Sequence, residues 1–435
     1  MKVLVVGGGG REHALCWKIA RSPEVDEVHC TPGNPGIAKV AKTHAFAATD
    51  ANNIVRLVEK YGIDLVVIGP EDPLVRGLGD RLRAAGVLVF GPGEAGARLE
   101  GSKVWAKEFL NRYRIPTGQS RRFDRSGAAK SHLDSTQTWP QVIKADGLAA
   151  GKGVFIVGDA REGRAVIDTL MEEKKLGDAG TEIIIEEFLE GEEVSVLAIT
   201  DGRAVCVLEP VMDHKQVGEG DTGPNTGGMG VVSPLASLSS RVLRQIEQHV
   251  LLPTLDGLRR EEIEFRGVLF VGLMLTDAGP RVLEYNCRFG DPEVQAVVRR
   301  MKSDLVPYMV ATAKGELDGL AGPEWDTRTC VGVVAAAGGY PGSYAKGDII
   351  EGLDEAEEFD EVVVFQAGTG ADGDHVVTAG GRVLCVTALG DDLGAARDRA
   401  YGAYDAVNWS GKFCRRDIGM RAPVGEQAAG GAARG

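Results

Sequence analysis

The sequence predicts an α/β protein that begins with a parallel sheet, and three observations support this fold class. Short β-branched runs alternate with helical patterns up to Phe90, which is the arrangement of βαβ units. The motif Gly91-Pro92-Gly93 ends that alternation, and mixed patterns of strands and helices follow it. The length of 435 residues allows about three domains with separate hydrophobic cores.

The N-terminal elements follow in order from their periodicity. Strands are predicted where apolar, β-branched residues stand together, and helices where apolar residues recur every three or four positions. The predicted elements are strand 3–6, helix 11–21, strand 27–31, helix 53–61, strand 64–68, helix 74–85 and strand 87–90. We therefore expect an N-terminal parallel α/β domain over residues 1–101.

The rest of the chain divides into three further parts and a tail. After a helix over 103–113 that stops before Pro116, a small α+β lid is predicted over 124–191, with helices 126–134 and 164–173 and strands 141–144, 153–157 and 182–186. A central mixed α/β domain is expected over 102–123 and 192–326, with strands 193–200, 204–209, 268–275 and 281–286 and an amphipathic helix around 242–250. A strand-rich C-terminal domain with a helix over 393–406 is expected over 327–421, and residues 422–435 are expected to form a frayed tail.

The charge and cysteine content exclude several classes of protein. Lys plus Arg number 49 against 63 Asp plus Glu, and the net charge of −14 disfavours binding to nucleic acid or to an anionic membrane. An anionic ligand therefore requires a local site. The seven cysteines include no C-x-x-C pair, and the sequence shows neither a signal-peptide pattern at Met1 nor an apolar run of the roughly 20 residues that span a bilayer. We expect a cytoplasmic protein with reduced thiols.

Glycine is abundant, with 60 residues against 18 prolines, and its positions indicate sites. Gly7-Gly8-Gly9-Gly10 lies between a buried strand and a helix, where backbone N–H groups and the helix dipole favour a phosphate. The spacing fails the dinucleotide fingerprint because the third glycine would fall at Glu12, which disfavours an NAD-dependent oxidoreductase. A tight turn without a ligand is the alternative.

A second glycine-rich segment, residues 147–153, joins two predicted strands. It is one residue short of a P-loop, and Gly153 stands where a Ser or Thr would bind Mg²⁺. We predict instead a flap that folds over a triphosphate, with Lys144 and Lys152 as point charges. The alternative for Lys144 is a solvent-facing position on a half-buried strand, on the same side as Val142.

The strand that ends at Asn286 carries a candidate metal site. Side chains alternate along a strand, so Glu284, Asn286 and Arg288 share one face while Tyr285 and Cys287 lie on the other. Carboxylate and amide oxygens are ligands that Mg²⁺ accepts while it also binds phosphates. Arg288 could then stabilise a phosphoryl group in transfer, and an exposed polar strand face is the alternative.

A polar loop between residues 213 and 230 is too long for a simple hairpin, and such loops commonly bind a ligand. Asp213 could hold an ammonium group. His214 has no partner at metal-ligand spacing in the sequence, so we read it neither as a metal ligand nor as part of a catalytic triad.

These motifs form one ordered set from residue 1 to about residue 421: GGGGREHAL, PGNPG, GPEDPLV, EGSK, IKADGLAAGKGV, IEEFLEGEEVS, DHK, DTGPNTGGMG, LEYNCRFGDPE, MKSDL and AAAGGYPG. The set resembles the phosphoribosylamine-glycine ligase (glycinamide ribonucleotide synthetase) family of the ATP-grasp superfamily. The resemblance implies an ATP-grasp fold with a pre-ATP-grasp N-terminal domain, an ATP lid, a central domain and a C-terminal domain. It further implies ATP-dependent ligation of glycine to 5-phosphoribosylamine in purine biosynthesis, by a cytoplasmic monomer with Mg²⁺ or Mn²⁺.

The resemblance also implies roles for individual residues. The catalytic residues would be Lys144, Asp213 and Arg288, and the metal ligands Glu284 and Asn286. The nucleotide would be bound by Lys103, Lys144, Gly151, Lys152, Gly153, Glu186, Glu187, Phe188, Leu189, Glu193 and Lys215. The glycine and ribosyl-phosphate sites would include Gly9, Gly10, Arg11, Asn34, Gly227, Gly228, Met229 and Asp291.

The sequence departs from the superfamily pattern at two places. Gly8 stands where relatives often have Asn or Ser, and residues 272–275 lack a further metal-binding acid that many ATP-grasp relatives carry, so the ligands of a second metal stay unassigned. Two further functions are alternatives to this interpretation, besides the NAD enzyme. Another ATP-grasp ligase or carboxylase of purine metabolism is disfavoured by the loop 221–230, and a catalytically silent nucleotide-binding regulator is disfavoured by the intact Lys144, Glu284, Asn286 and Arg288.

Overall fold

The computed structural model describes residues 1–149, 153–235 and 238–420. The N-terminal strands are β1 (Lys2–Gly7), β2 (Glu27–Pro32), β3 (Lys42–Thr43), β4 (Leu65–Ile68) and β5 (Leu88–Phe90). They form one parallel sheet in the order β3-β2-β1-β4-β5, which confirms the fold class predicted for this region. Its helices are α1 (Gly10–Ile19), α2 (Ala51–Tyr61), α3 (Glu71–Val75), α4 (Leu78–Ala84) and α5 (Glu94–Gly101).

The prediction of one continuous N-terminal helix was wrong, because the structure has two helices there. The single helix expected over 74–85 is divided into α3 and α4. Gly77 separates them with a left-handed backbone, at a φ of 75°, and this conformation cannot continue a right-handed helix. Periodicity does not detect this break because Leu74, Leu78 and Leu82 keep helical spacing across it.

The next part of the chain forms a small four-stranded antiparallel sheet, the lid sheet, in the order β6-β9-β7-β8. The elements from residue 103 to residue 187 are α6 (Lys103–Arg112), β6 (Ser120–Phe123), α7 (Ser126–Ser135), β7 (Gln141–Ala145), β8 (Val154–Val157), α8 (Ala160–Ile167) and β9 (Ile183–Glu187). Helix α8 begins four residues before the predicted start because the Asp159 carboxylate accepts a hydrogen bond from the Glu162 N–H at 2.8 Å. It continues as a π-helical turn over Asp168–Glu172.

The strands of the remaining chain are β10 (Glu192–Thr200), β11 (Val205–Val207), β12 (Met212–Asp213), β13 (Gln216–Gly218), β14 (Thr222–Asn225), β15 (Gly230–Ser233), β16 (Gly267–Thr276), β17 (Gly279–Asn286), β18 (Thr329–Ala336), β19 (Val362–Gln366), β20 (Thr369–Asp372), β21 (His375–Thr378) and β22 (Arg382–Gly390). Its helices are α9 (Ser240–Ile246), α10 (Leu252–Arg260), α11 (Glu293–Arg300), α12 (Val306–Lys314), α13 (Leu353–Glu357) and α14 (Leu393–Ala406). The amphipathic helix expected around 242–250 is α9 and the π-helical turn Glu247–Leu251, which leads into α10.

Nine of these strands form two larger sheets, and β13-β14 and β20-β21 form two small antiparallel pairs. The central sheet has the antiparallel order β11-β10-β16-β17, and the C-terminal sheet has the antiparallel order β12-β15-β18-β22-β19. Strands β12 and β15 lie more than ninety residues before β18 in the chain, yet they extend the C-terminal sheet. The segment between them is therefore attached to the C-terminal region.

The hydrophobic cores join the sheets to one another. Strand β1 is buried on both faces: Val3 and Val5 pack into a core shared with the C-terminal sheet, while Leu4 and Val6 pack into a core shared with the central sheet. Each such side chain contributes about 1.5–3 kcal/mol by its burial. The N-terminal sheet is therefore fixed against both neighbours.

Among the residues that the structure describes, no helix has the length and apolar character needed to cross a membrane. The predicted frayed tail, residues 422–435, lies outside the described residues.

The pH dependence of folding is expected to reflect His13. Its Nδ1 accepts a hydrogen bond from the Gln366 N–H at 2.8 Å, and its ring packs edge-on against Phe365. Burial, assisted by the Lys39 charge, lowers the pKa of His13 from 6.5 to about 4. Because the folded pKa is below the unfolded one, the neutral ring stabilises the fold above pH 6.5, and this stability is lost as the pH falls towards 4.

We expect the wild-type free energy of unfolding to fall between pH 7.5 and pH 5 by about 2 kcal/mol more than that of His13→Asn. Urea unfolding at both pH values measures the difference. His249→Asn, which changes an exposed histidine, is the matched control and should keep the wild-type pH dependence. Equal pH dependence in wild type and His13→Asn would contradict the assignment.

Candidate active site

A cavity of about 530 Å³ opens between the lid sheet and the central sheet. It gathers side chains from the N-terminal, lid, central and C-terminal parts of the chain. The predicted site residues that line it are Arg11, Lys103, Lys144, Gly153, Glu186, Glu187, Phe188, Leu189, Glu193, Lys215, Gly227, Glu284, Asn286, Arg288 and Asp291. The predicted residues Gly151 and Lys152 lie outside the described residues.

Lys144 is a buried cation at the centre of the lid wall. Strand β7 carries it beside Val142 on the side that faces the cavity, as the alternation of the strand requires. Its Nζ lies 3.0 Å from Glu186 Oε2 and donates to the Leu283 carbonyl at 3.0 Å. Lys144 therefore bridges the lid sheet to β17, and the solvent-facing alternative for this residue was wrong.

Lys103 approaches the same cavity from the first turn of α6. Ser102 caps this helix by accepting a hydrogen bond from the Trp105 N–H, and it donates to Asp146 Oδ1 at 3.0 Å. The cap fixes the direction in which the Lys103 side chain leaves the helix. Burial lowers the pKa of Lys103, although the Glu284 charge opposes that shift.

Strand β17 places Glu284 and Asn286 on the cavity wall and turns Tyr285 and Cys287 into the core, as predicted. The pairing register with β16 shifts between Gly272 and Leu273, which leaves one extra residue on β17 before Glu284. This bulge frees the Leu283 carbonyl for Lys144. Gly272 lies opposite Glu284, where a Cβ would come within 3.3 Å of Glu284 Cγ, so this cross-strand position leaves room for the carboxylate.

Nearby cations keep Glu284 ionised. Burial alone would raise the pKa of its carboxyl, but the charges of Lys215, Lys144, Lys103 and Arg288 outweigh burial and lower it. Asn286 Oδ1 accepts a hydrogen bond from Arg288 Nη2 at 3.3 Å. The two side chains together present hard oxygen donors to the cavity.

Arg288 is held by two acids that sequence reasoning missed. Its Nε donates to Glu71 at 3.2 Å and its Nη2 to Glu100 at 2.7 Å. Burial would raise the pKa of Glu71, but the Arg288 and Arg11 charges lower it to about 2. Glu100 also accepts from the Cys287 N–H at 2.9 Å, so it ties the end of β17 to α5. These contacts orient the guanidinium along the cavity wall.

Lys215 is flanked by two buried acids behind the opposite part of the wall. Its Nζ lies 3.2 Å from Asp213 Oδ2 and 3.9 Å from Glu293 Oε1. Burial would lower the pKa of Lys215, but the two carboxylates raise it. Burial raises the pKa of Asp213, and burial with the neighbouring Asp213 charge raises that of Glu293 to about 7. One ammonium group thus faces two carboxyl groups in a confined space.

The glycine-rich turn at the start of α1 packs tightly against its neighbours. Glu12 Oε2 accepts from the Gly9 N–H at 2.6 Å, and Asp291 Oδ2 accepts from the Arg11 N–H at 3.3 Å. A Cβ on Gly10 would come within 2.7 Å of Gln295 Nε2. Two donors predicted for a phosphate are thus paired with carboxylates. Glu12 at N3 makes the return contact of a capping box to the Gly9 N–H, although Gly9 has no side chain to complete the box, and sequence reasoning missed this contact.

Several predicted substrate residues lie behind the cavity wall. Asn34 caps the turn that begins at Ile37, and its Nδ2 donates to the Gly8 carbonyl at 3.0 Å. Met229 is fully buried. Gly228 packs against Asp213, because a Cβ there would come within 2.5 Å of the carboxylate. Their contacts support the walls of the cavity.

The predicted adenine hinge follows β9 along the rim of the cavity. Glu186 Oε2 pairs with both Lys144 and Lys107, the second at 3.3 Å, so its side chain is an ion-pair partner of two lysines. Lys107 is a further cavity residue that sequence reasoning missed, although it follows Lys103 by one helical turn and therefore shares its face. Burial lowers the pKa of Lys107 to about 8, against the Glu186 charge.

Two residues of the C-terminal region also reach the cavity. Tyr340 and Arg382 line it. Tyr340 belongs to the motif AAAGGYPG but was given no role there, and Arg382 belongs to none of the quoted motifs. They lie far along the chain from the glycine-rich loop that they contact, so local sequence patterns carry no signal for this approach.

The chemistry available at this site is the binding of polyphosphate. Lysine and arginine charges converge on a carboxylate and an amide that can share a divalent cation with phosphate oxygens. Cys287 faces the core, where burial and the Glu100 charge raise the pKa of its thiol well above the ordinary value, so it is not a nucleophile. The site is suited to positioning and charge neutralisation.

The chain matches three domain models of one family, described as phosphoribosylglycinamide synthetase. The N domain matches residues 1–100, the ATP-grasp (A) domain residues 101–294 and the C domain residues 330–421. The phosphoribosylamine–glycine ligase of Vibrio cholerae is 46% identical over 431 residues, which are 98% of this chain and 100% of the relative. The Escherichia coli K12 enzyme of the same name is 47% identical over 431 residues, with the same coverage.

Solved structures of similar proteins have the same fold as this chain. The crystal structure of phosphoribosylamine–glycine ligase from Thermotoga maritima has a TM-score of 0.85 at 35% identity and covers 96% of this chain and 100% of its own. The biotin carboxylase domain of a Hydrogenobacter thermophilus 2-oxoglutarate carboxylase has a TM-score of 0.72 at 16% identity over 95% of this chain and 91% of its own, which shows a shared fold alone. With all three domains matched in order around one cavity, the chain has the ATP-grasp fold and belongs to the phosphoribosylglycinamide synthetase family.

Proposed function

We propose that this protein joins glycine to 5-phosphoribosylamine at the expense of ATP and releases glycinamide ribonucleotide, ADP and phosphate. The observation that carries the proposal is the convergence of Lys103, Lys144 and Arg288 on Glu284 and Asn286 within one cavity. The names of the relatives support the choice of substrates.

The reaction needs activation because a free carboxylate is a poor acyl donor. An oxygen of the glycine carboxylate attacks the γ-phosphorus, and the bond from that phosphorus to the ADP oxygen breaks. The amine of phosphoribosylamine then attacks the carbonyl carbon of glycyl phosphate and loses a proton as the C–O bond to phosphate breaks. No protein nucleophile is required.

The nucleotide side of the cavity neutralises and aligns the phosphates. We assign phosphate contacts to Lys103 and Lys144, and the adenosine contacts to the rim residues Glu186, Glu187, Phe188, Leu189 and Glu193 with Lys215 nearby. Arg288, which Glu71 and Glu100 orient, would stabilise the transferring phosphoryl group. Closure of the lid over Gly153 and its neighbours would exclude water from the acyl phosphate.

A divalent cation, Mg²⁺ or Mn²⁺, fits Glu284 and Asn286. The described residues contain no group of three or more acidic, His or Cys side chains arranged to hold a metal ion. Two protein oxygens suit Mg²⁺, which commonly binds one or two carboxylates and completes its shell with water and substrate phosphates. When bound, the cation would supply charge neutralisation at the phosphates.

The opposite side of the cavity would hold the other substrates. We propose that Asp213, which lies behind the cavity wall beside Lys215, pairs with the glycine ammonium group. The loop residues Gly227 and Met229 and the turn around Gly9, Gly10, Arg11, Asn34 and Asp291 would shape the ribosyl-phosphate site.

We further propose that the protein acts as a monomer in the cytoplasm. All seven cysteines are free thiols, which suits a reducing compartment. Light scattering on the purified protein measures the oligomeric state; a stable dimer at micromolar concentration would contradict the monomer.

The function is tested by an assay of phosphate release with freshly generated phosphoribosylamine, glycine and ATP. We expect release to require all three compounds and to match the amount of glycinamide ribonucleotide formed. Alanine and bicarbonate in place of glycine, and other amines in place of phosphoribosylamine, are the controls. Release that is independent of either substrate, or faster with another pair, would contradict the proposal in favour of another ATP-grasp ligase or carboxylase.

A further inference from the structure

The segment over residues 214–229, which we call the substrate loop, is mounted on the C-terminal sheet. It joins β12 to β15, and β15 pairs with β18 from Gly230 opposite Val333 to Ser233 opposite Cys330. Both ends of the loop therefore belong to a sheet whose other strands come from residues 329–390. The loop contributes Lys215, Gln216, Asn225, Thr226 and Gly227 to the cavity lining.

The C-terminal region binds the cavity end of this loop through the N–H and the carbonyl of Gly227. Tyr340 Oη accepts a hydrogen bond from the Gly227 N–H at 3.2 Å, and Arg382 Nη1 donates to the Gly227 carbonyl at 2.7 Å. The same Nη1 donates to the Asp291 carbonyl at 2.5 Å. A Cβ on Gly227 would lie 2.8 Å from the Arg382 Cζ, so only glycine permits this approach.

The far end of the loop is held by Arg415, whose side chain is almost fully buried. Its Nη1 donates to the Gln216 carbonyl and to Asp221 Oδ1, both at 3.0 Å. Asp417 completes the contact, since it pairs with Arg415 and its Oδ2 accepts from the Gly220 N–H at 2.8 Å. A buried guanidinium is tolerated only when its donors are paired, so these contacts fix the loop to the end of the described chain.

The side of the cavity assigned to the nucleotide, which carries Lys103 and Lys144, is anchored by contacts other than those of the substrate loop. Lys144 and Lys107 share Glu186 in the lid, and Lys103 is directed by the Ser102 cap and Asp146. These contacts join the lid to α6 and β17. Lys215, at the start of the substrate loop, is held by its own ion pairs with Asp213 and Glu293. The two sides of the cavity are thus supported by separate sets of contacts.

We propose that Tyr340, Arg382 and Arg415 are positioning residues that set the affinity for glycine through the substrate loop and leave nucleotide binding unchanged. This inference rests on the proposed function. The C-terminal region would then affect glycine binding through the substrate loop.

The test compares Tyr340→Phe, Arg382→Met and Arg382→Lys with wild type. We expect Tyr340→Phe, which loses one hydrogen-bond acceptor, to raise the KM for glycine by about fivefold to tenfold. Arg382→Met should raise it by about tenfold to a hundredfold, because the loop loses a charged clamp. Arg382→Lys should recover part of that loss, and added guanidinium should partly restore Arg382→Met. The Kd for Mg-ADP, measured by calorimetry, should stay within about twofold.

Arg415 needs a milder change, since its removal could unfold the chain. Asp221→Asn keeps an acceptor for Arg415 but removes the opposite charge, and we expect the glycine KM to rise with little change in the unfolding midpoint. Arg399→Met is the matched control, because Arg399 donates to the Leu389 carbonyl within the C-terminal region and does not line the cavity.

The outcomes separate the two proposals. A wild-type protein that does not couple glycine would overturn the function and the inference together. Wild-type activity with an unchanged glycine KM in folded Tyr340→Phe and Arg382→Met would overturn the inference alone. A parallel weakening of Mg-ADP binding would also overturn it, because the two walls would then not be independently supported.

Discussion

Glu284→Gln is expected to lower kcat at least about a hundredfold while the protein stays folded. Glutamine keeps the size of the side chain but removes the negative charge that four neighbouring cations hold in the ionised state. The variant also loses the carboxylate oxygen proposed to hold the divalent cation. Lys103, Lys144 and Lys215 would then lose part of the negative charge that balances them, and their repulsion would weaken binding of the divalent cation. Saturation with Mg-ATP should therefore require higher metal concentrations. Steady-state rates over a range of MgCl₂ concentrations measure both effects.

Asp277→Asn is the matched control for this change. Asp277 is exposed at the turn between β16 and β17, at the opposite end of the same hairpin. It should retain wild-type kcat and metal dependence. Near-normal activity of a folded Glu284→Gln protein would contradict the assignment of the metal site.

Lys144→Met is expected to weaken ATP binding and to lower kcat/KM for ATP by about a hundredfold or more. Methionine preserves the apolar stem but loses the ammonium group that bridges Glu186 and the Leu283 carbonyl. Lys107 still pairs with Glu186, so the buried carboxylate keeps one cation and the fold should persist. Calorimetry with Mg-ADP and steady-state kinetics with varied ATP measure the loss.

The control for the lysine is Lys130→Met in the same lid. Lys130 pairs with Asp168 and Glu172 on the outer helices and does not line the cavity. It should leave the ATP constants unchanged. Equal effects of the two substitutions would indicate that Lys144 acts through lid stability, and the phosphate role would then be wrong.

The fold was predictable where local pattern and tertiary structure agree. The N-terminal strands are short β-branched runs buried on both faces, and α14 has the predicted bounds because Asp392 caps its start by accepting from the Ala395 N–H. The single helix expected over 74–85 is interrupted at Gly77. The left-handed backbone of this residue separates α3 from α4, while the hydrophobic pattern continues unchanged. Local chemistry therefore identified most elements but not every boundary.

The candidate site was predictable only in part, for a physical reason. Glu284 and Asn286 share a face because strand side chains alternate, and this is visible in a few residues of sequence. Arg382 reaches Gly227 through sheet pairing between strands more than 90 residues apart, and Asp213 joins the C-terminal sheet through β12. Such pairings depend on the whole topology, so no short motif indicates them.

The abundant glycine and the acidic charge also have structural explanations. Gly10, Gly227 and Gly228 each lie where a Cβ would collide with a neighbouring side chain, which lets the cavity walls approach closely. The net charge of −14 coexists with a cavity where Lys144, Lys215 and Arg288 are each paired with acids. An anionic substrate entering this cavity would exchange those partners for its own phosphates.

The most direct test of the account uses glycine labelled with ¹⁸O in both carboxylate oxygens. If the carboxylate attacks the γ-phosphorus of ATP, the oxygen that forms this bond stays with phosphorus when the amine displaces phosphate. Mass spectrometry of the phosphate released in complete reactions should therefore find one ¹⁸O atom in each phosphate and one in the glycinamide ribonucleotide. Unlabelled phosphate, with one heavy atom in the glycinamide ribonucleotide and the other released in water, would contradict activation through glycyl phosphate.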